Sequence, residues 1–337
     1  MFILGLGRYN FLIIMRLEIP DISKQIYQEN ILNILISEYS TIGTIWVTHQ
    51  IEWCNRNYLM FKDHDKALII IYLLKKTLDF YSKNFVKLSY QEYFFKDFVE
   101  IEKFSISEIS KALNIPKETT RRKLFELEKK NIIKKNPTCC IDRTALPFIR
   151  PDDSIKKISN FLCLFSKLLL DKKILLNSFT SEELKKIIEK DFTYIWKIYY
   201  DMQIEMMLSY KNVFKNYESY HIFGACVVNQ HLYSNKINEY KMNREDYIKS
   251  IYSNENVVGV NAMSLSDITN IPRATVIRKL KNLLKLNYLS IDKKKHYTIS
   301  GNLVKRLVPL QNEVLTNLAN FSSIIYNSAI LYFNKNL

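Results

Sequence analysis

The chain has 337 residues, 47% of them hydrophobic, which at about 100–200 residues per domain predicts two or three domains with sizeable cores. Only six glycines occur, no Gly-x-x-x-x-Gly-Lys-Ser/Thr run is present, and "GLG" at Gly5 to Gly7 lacks a third glycine. Phosphate-cradling loops, dinucleotide folds and many-turned β-barrels are therefore excluded in favour of helix. The net charge of +15 points to an anionic partner, nucleic acid or an acidic membrane face, although a Lys-, Asn-, Ile- and Tyr-rich composition is also what AT-rich coding sequence yields.

In chain order, residues 1–39 form an N-terminal apolar segment. Arg8, Asn10 and Arg16 interrupt it, no small-residue cleavage site follows, and its apolar runs are far below the ~18 residues that span a bilayer. A buried helix or strand is expected there, with no membrane partner. Apolar and aromatic helices follow over Ile42 to Phe61 and Ala67 to Tyr81, and again over Tyr194 to Leu208. Such stripes read first as core and alternatively as the lining of a ligand pocket.

Ser105-x-x-Glu108 is a capping box that starts a short helix with Ile106, Ile109 and Leu113 on its apolar face. Asn114 suits the left-handed conformation at a helix end, and Pro116 suits the start of the next helix. That second helix turns Thr120, Leu124 and Leu127 inward and leaves Lys117, Glu118, Thr119, Arg121, Arg122 and Lys123 outward. "NIIKKNPTCCID" then reads as strand, turn at Asn136-Pro137 and strand, with Lys134 and Lys135 on the approach. An apolar-periodic helix, "SIKKISNFLCLFSKLLL", closes the unit.

The pattern returns. Without gaps, residues 109–131 match residues 265–287 at 11 of 23 positions, including Asn114/Asn270, Pro116/Pro272, Thr119/Thr275, Arg122/Arg278, Lys123/Lys279 and Asn131/Asn287. Upstream, "HQIEWCNRNYLMFK" ending at Lys62 lines up with "MQIEMMLSYKNVFK" ending at Lys215 at an offset of 153, so the second copy has gained three residues in between. Val276, Leu280 and Leu283 point inward in the second copy, Arg273 replaces Lys117, and Asp292 to Lys295 predicts a turn with Lys293, Lys294, Lys295 and His296 at its tip. A unit of about 140 to 150 residues thus occurs twice: residues 40–178 and 193–337, joined by a linker helix over 179–192.

These residues resemble the winged helix-turn-helix regulators of bacteria, in particular the MarR-like and IclR-like groups. The pattern carrying the resemblance is Ile109-Ser110 or Leu265-Ser266, "NIP", then the paired Thr, Arg and two Leu. Where those families place Gly, this chain has Asn114, Asn131, Asn270 and Asn287. The resemblance implies a mainly α fold with small β wings, a tandem winged helix-turn-helix repeat arranged as a pseudo-dimer. It also implies a sequence-specific regulator of transcription binding double-stranded DNA, with a small-molecule effector as a second partner and self-association left open. A plasmid or phage replication initiator with two winged-helix domains is the alternative.

In that reading Lys117, Glu118, Thr119, Arg121, Arg273 and Thr275 lie near bases and phosphates. Arg122, Lys123, Arg278, Lys279 and the wing residues Lys134, Lys135, Lys293, Lys294, Lys295 and His296 hold the backbone. Five cysteines without a Cys-x-x-Cys pair fit a reduced, cytoplasmic, nucleoid-associated setting, and no nucleophile–base pair or metal-ligand spacing predicts an enzyme, metal or cofactor.

Overall fold

Two long helices organise the structure, and both end in the same way. In the computed structural model, which describes residues 25–135, 138–146, 150–237, 241–253, 258–300 and 304–333, α2 (Tyr39–Phe61) stops at Lys62 and α9 (Phe192–Phe214) stops at Lys215. Both lysines are left-handed, with φ of 52° and 66°. The next helices, α3 (His64–Lys83) and α10 (Tyr217–Ile237), start two residues on. Asp63 accepts the amide of Lys66 at 3.1 Å and Asn216 accepts that of Ser219 at 2.9 Å, the hydrogen bonds expected of N-caps.

The first half opens with α1 (Gln28–Ser37) and continues after α3 through α4 (Tyr90–Tyr93), strand β1 (Phe98–Glu100), α5 (Ile106–Ala112) and α6 (Lys117–Lys129). Strands β2 (Ile133–Lys134) and β3 (Cys140–Asp142) and helix α7 (Asp152–Asp171) complete it. The second half runs α8 (Ser181–Lys190), α9, α10, α11 (Arg244–Ser253), α12 (Ala262–Thr269), α13 (Arg273–Lys285), β4 (Leu289–Ile291), β5 (Tyr297–Ile299) and α14 (Val304–Phe333). The described residues are thus mainly helical, with two small antiparallel sheets. One has the order β1-β3-β2, with Ile141 opposite both Val99 and Ile133. The other is β4-β5, with Val260 bridged to Tyr297 beside it. No helix among the described residues is long and apolar enough to cross a membrane.

Element bounds recur at a fixed spacing. A displacement of 153 residues carries Gln28–Ser37 onto Ser181–Lys190, Tyr39–Phe61 onto Phe192–Phe214, and His64 onto Tyr217. The segment read as a linker helix is therefore a ten-residue helix of the same length as α1. Packing is reciprocal. Helix α1 lies on α14 while α8 lies on α7, and α2 lies on α10 while α9 lies on α3. Asn327 of α14 fixes the chain entering α1, accepting from the Ile26 amide at 2.8 Å and donating to its carbonyl at 3.0 Å. The apolar start expected over residues 1–39 lies outside the described residues up to residue 24.

The core follows from helical periodicity. In α7, Ile155, Ile158, Phe161, Leu162, Phe165 and Leu169 recur at three- and four-residue steps and are all buried. Each such side chain contributes about 1.5–3 kcal/mol over its exposed state. Trp46 and Trp196 sit in the same core, Trp46 against Phe161 and Trp196 stacked on Phe192.

Candidate nucleic-acid interface

The turn between α5 and α6 is built from the side chains that the sequence singles out. Ser105 and Glu108 cap α5 reciprocally, and Asn114 follows it at φ 49°. The Ser110 hydroxyl donates to the Ile115 carbonyl at 2.6 Å, closing the turn, and Pro116 is the N-cap of α6. Between α12 and α13 the same devices recur: Asn270 at φ 59°, Ser266 donating to the Ile271 carbonyl at 2.8 Å, and Pro272 as the N-cap. Asn131 and Asn287, just past the two basic helices, have φ of 57° and 54°. Asparagine therefore fills all four positive-φ positions, as the next-best residue to glycine there.

The inward faces are those expected. Thr120, Leu124 and Leu127 of α6 and Val276, Leu280 and Leu283 of α13 are buried. Lys117, Glu118, Arg121, Arg122, Arg273 and Arg278 are exposed, and Thr119 and Thr275 are half-buried. Two expected outward residues are corrected. Lys123 has a side chain only 14% exposed and pairs with Asp63, the N-cap of α3. Lys279 is 9% exposed; its ammonium donates to Asn216, which precedes α10, at 2.6 Å and to Glu218 at 3.3 Å. Both lysines pin their helix to the start of a long helix and are turned away from solvent. Sequence spacing places them beside Arg122 and Arg278, but the approach of α3 and α10 is a tertiary fact that helix periodicity does not contain.

The two helices differ in how their charge is met. On the first, Arg121 donates to both Glu118 oxygens at 2.9 Å, and Arg122 lies 3.9 Å from Glu126, which also pairs with Lys66. Lys134 binds Asp142 at 2.5 Å and, with Thr144, holds that carboxyl down at about 2; Lys135 binds Glu128 at 2.6 Å. On the second, Arg273, Arg278, Lys281 and Lys285 are exposed and form no ion pair among the described residues.

The β4–β5 turn adds further exposed cations. Lys293, Lys294 and Lys295 are exposed, and Lys295 takes the left-handed φ of 62° that ends a tight turn. His296 is half-buried, its Nδ1 3.4 Å from Asp292, whose carboxylate accepts the His296 amide at 2.8 Å. The counterpart turn at Asn136-Pro137 lies outside the described residues.

The anchors of the two helices converge. His64, next to Asp63, and His221 of α10 meet at 3.2 Å, and His221 also contacts Asn55 Oδ1 at 2.6 Å. Burial depresses both imidazoles, His64 to about 4 against the opposing pull of Glu218 and Asp63, and His221 well below the usual histidine range, so both are neutral. Lys211, near the end of α9, donates to the Asn114 carbonyl at 2.8 Å, so a helix of the second half supports the turn of the first. None of these partners is signalled by a local motif.

In comparison with known proteins, no family model matches the chain, and no curated protein or solved structure matches it.

Proposed function

We propose that the chain is a sequence-specific regulator of transcription that binds duplex DNA as a single-chain pseudo-dimer of two winged helix-turn-helix units. In this reading α6 and α13 are the recognition helices and the β2–β3 and β4–β5 hairpins are the wings. The observation that carries it is the face formed by α13 and its hairpin. Arg273, Arg278, Lys281 and Lys285 stand exposed on a helix held from behind by Lys279, and Lys293 to Lys295 stand exposed on the turn after it; none of them forms an ion pair among the described residues. Cations left free on a rigid helix are available to phosphates, and arginine adds bidentate contacts to phosphate or guanine. The pseudo-dimer is supported by the 153-residue recurrence of helix bounds and by packing in which each half's first helix covers the other half's last, the self-complementary arrangement of a two-fold interface.

Selection of bound duplexes from a random pool, followed by footprinting of a 1:1 complex, tests the proposal. Two protected segments about 34–36 Å apart, one turn of the duplex, are expected. Protection of one segment only, or retention of no duplex at low salt, overturns it.

A further inference from the structure

At the second and fifth residues of the two basic helices, the outward side chains differ as pairs. On α6 they are Glu118 and Arg121, closed on each other by two hydrogen bonds of 2.9 Å. On α13 they are Ala274 and Ile277, both exposed, Ile277 by 36%. One helix presents an ion pair that satisfies itself, and the other presents two side chains with no polar atom.

The fold does not ask for the apolar pair. Val276, Leu280 and Leu283 supply the buried face of α13, and a β-branched residue at an exposed helical position forms helix less well than the arginine found on α6. The surroundings decide what the pair can touch. Residues three and four apart are neighbours on a helix surface, so Arg273 lies beside Ile277, Ala274 beside Arg278, and Ala274 beside Ile277. These four make one patch, with an arginine at two opposite corners and the apolar side chains across it. Both arginines are exposed, and neither forms an ion pair among the described residues.

Free guanidiniums take phosphates, and the apolar group that an ordinary base pair presents in the major groove is the C5 methyl of thymine. We propose that Ala274 and Ile277 read two neighbouring thymine methyls, an assignment that rests on the DNA-binding reading above. The half-site under α13 is then defined by methyl groups, and the half-site under α6 is not.

Uracil pairs as thymine does and lacks only that methyl, so it isolates the contact. Each thymine of a selected duplex is replaced by uracil in turn, and affinity is measured by fluorescence anisotropy at fixed salt. Two neighbouring positions in one half-site should each lose about fourfold, the worth of one buried methyl group, and no thymine of the other half-site should do so. This scan uses the unaltered chain and is independent of any variant's folding. Ile277→Ala should then bind the thymine and uracil duplexes alike at one of the two positions and keep the full effect at the other. Arg278→Ala should weaken every duplex equally and leave both uracil effects in place, as loss of a phosphate contact does. No uracil effect in the parent, effects of equal size in both half-sites, or both effects intact in Ile277→Ala overturns the proposal and leaves the DNA-binding reading standing. Retention of no duplex at low salt overturns both.

Discussion

Helices α6 and α13 share a skeleton and differ in electrostatics. Both start at Asn-Ile-Pro, bury three side chains at the same steps, are pinned by a lysine at the same position, and end before a left-handed asparagine. Yet the first has its arginines and hairpin lysines matched by Glu118, Glu126, Glu128 and Asp142, while on the second Arg273, Arg278, Lys281 and Lys285 form no ion pair among the described residues. The frame is set by positions facing inward; the outward charges are free to change without disturbing it.

The largest effect should come from the unmatched side. Replacing Lys293, Lys294 and Lys295 by Ala together should cut duplex affinity by two orders of magnitude or more at low salt and reduce the slope of log K against log salt by about 2.7, at ~0.9 per phosphate lost. Lys134→Ala with Lys135→Ala should change it far less, since both lysines already hold carboxylates. Equal slopes for the two sets, measured by fluorescence anisotropy across a salt series, would break the comparison.

The lysine anchors sharpen it. Asp63→Ala removes an N-cap and strands the half-buried Lys123, a loss of about 2–3 kcal/mol in urea unfolding. Asp63→Asn should cost less, about 1 kcal/mol, because Asn216 caps α10 and accepts from Lys279 in the second half, although there Glu218 supplies the counter-charge. If the two variants are equally unstable, the anchors are not equivalent.

Buried histidines give the next effect. His64, His231 and His49 are depressed to about 4, 4 and 3, chiefly by burial, and His221 is depressed too. Their folded-state values lie below the ordinary value of about 6.5, so the unfolded chain binds more protons below pH 6.5. Stability is fully present above pH 6.5 and falls as pH drops toward 4. His64, His231 and His49 each contribute roughly 2 kcal/mol of that loss by pH 5. Thermal melts of His64→Gln against the parent at pH 7 and pH 5 check this, with the smaller pH dependence expected in the variant.

Smallest is Glu118. Its carboxylate is bound by Arg121, so an approach to a cytosine amino group must first break an exposed ion pair worth at most ~1 kcal/mol. Glu118→Ala should relax base preference in one half-site only, by about 1 kcal/mol, and leave the half under Ala274 unchanged. Site selection with the variant reads this directly, and equal relaxation in both halves would mean that the two helices read alike.

Much of this was legible in local sequence because it is local physics. The capping box at Ser105, the asparagines at positive φ and the inward triplets of α6 and α13 depend on neighbours within a turn or two. The inward turn of Lys123 and Lys279 depends on helices 60 or more residues away, and Arg143 donates to carbonyls about 50 residues upstream. The match of α8 to α1 escaped because ten residues with two or three buried aliphatics carry too little pattern to align.

The pairing of Ile26 with Asn327 joins residues 301 apart in the chain. During synthesis α1 therefore emerges long before α14, the helix it lies on, has been made. Closing so long a loop is slow, and until it closes α1 lacks the helix against which it packs most extensively. The halves cannot mature one after the other as independent beads; α14 completes the first half as well as the second, and a ribosome stalled before α14 leaves both unfinished.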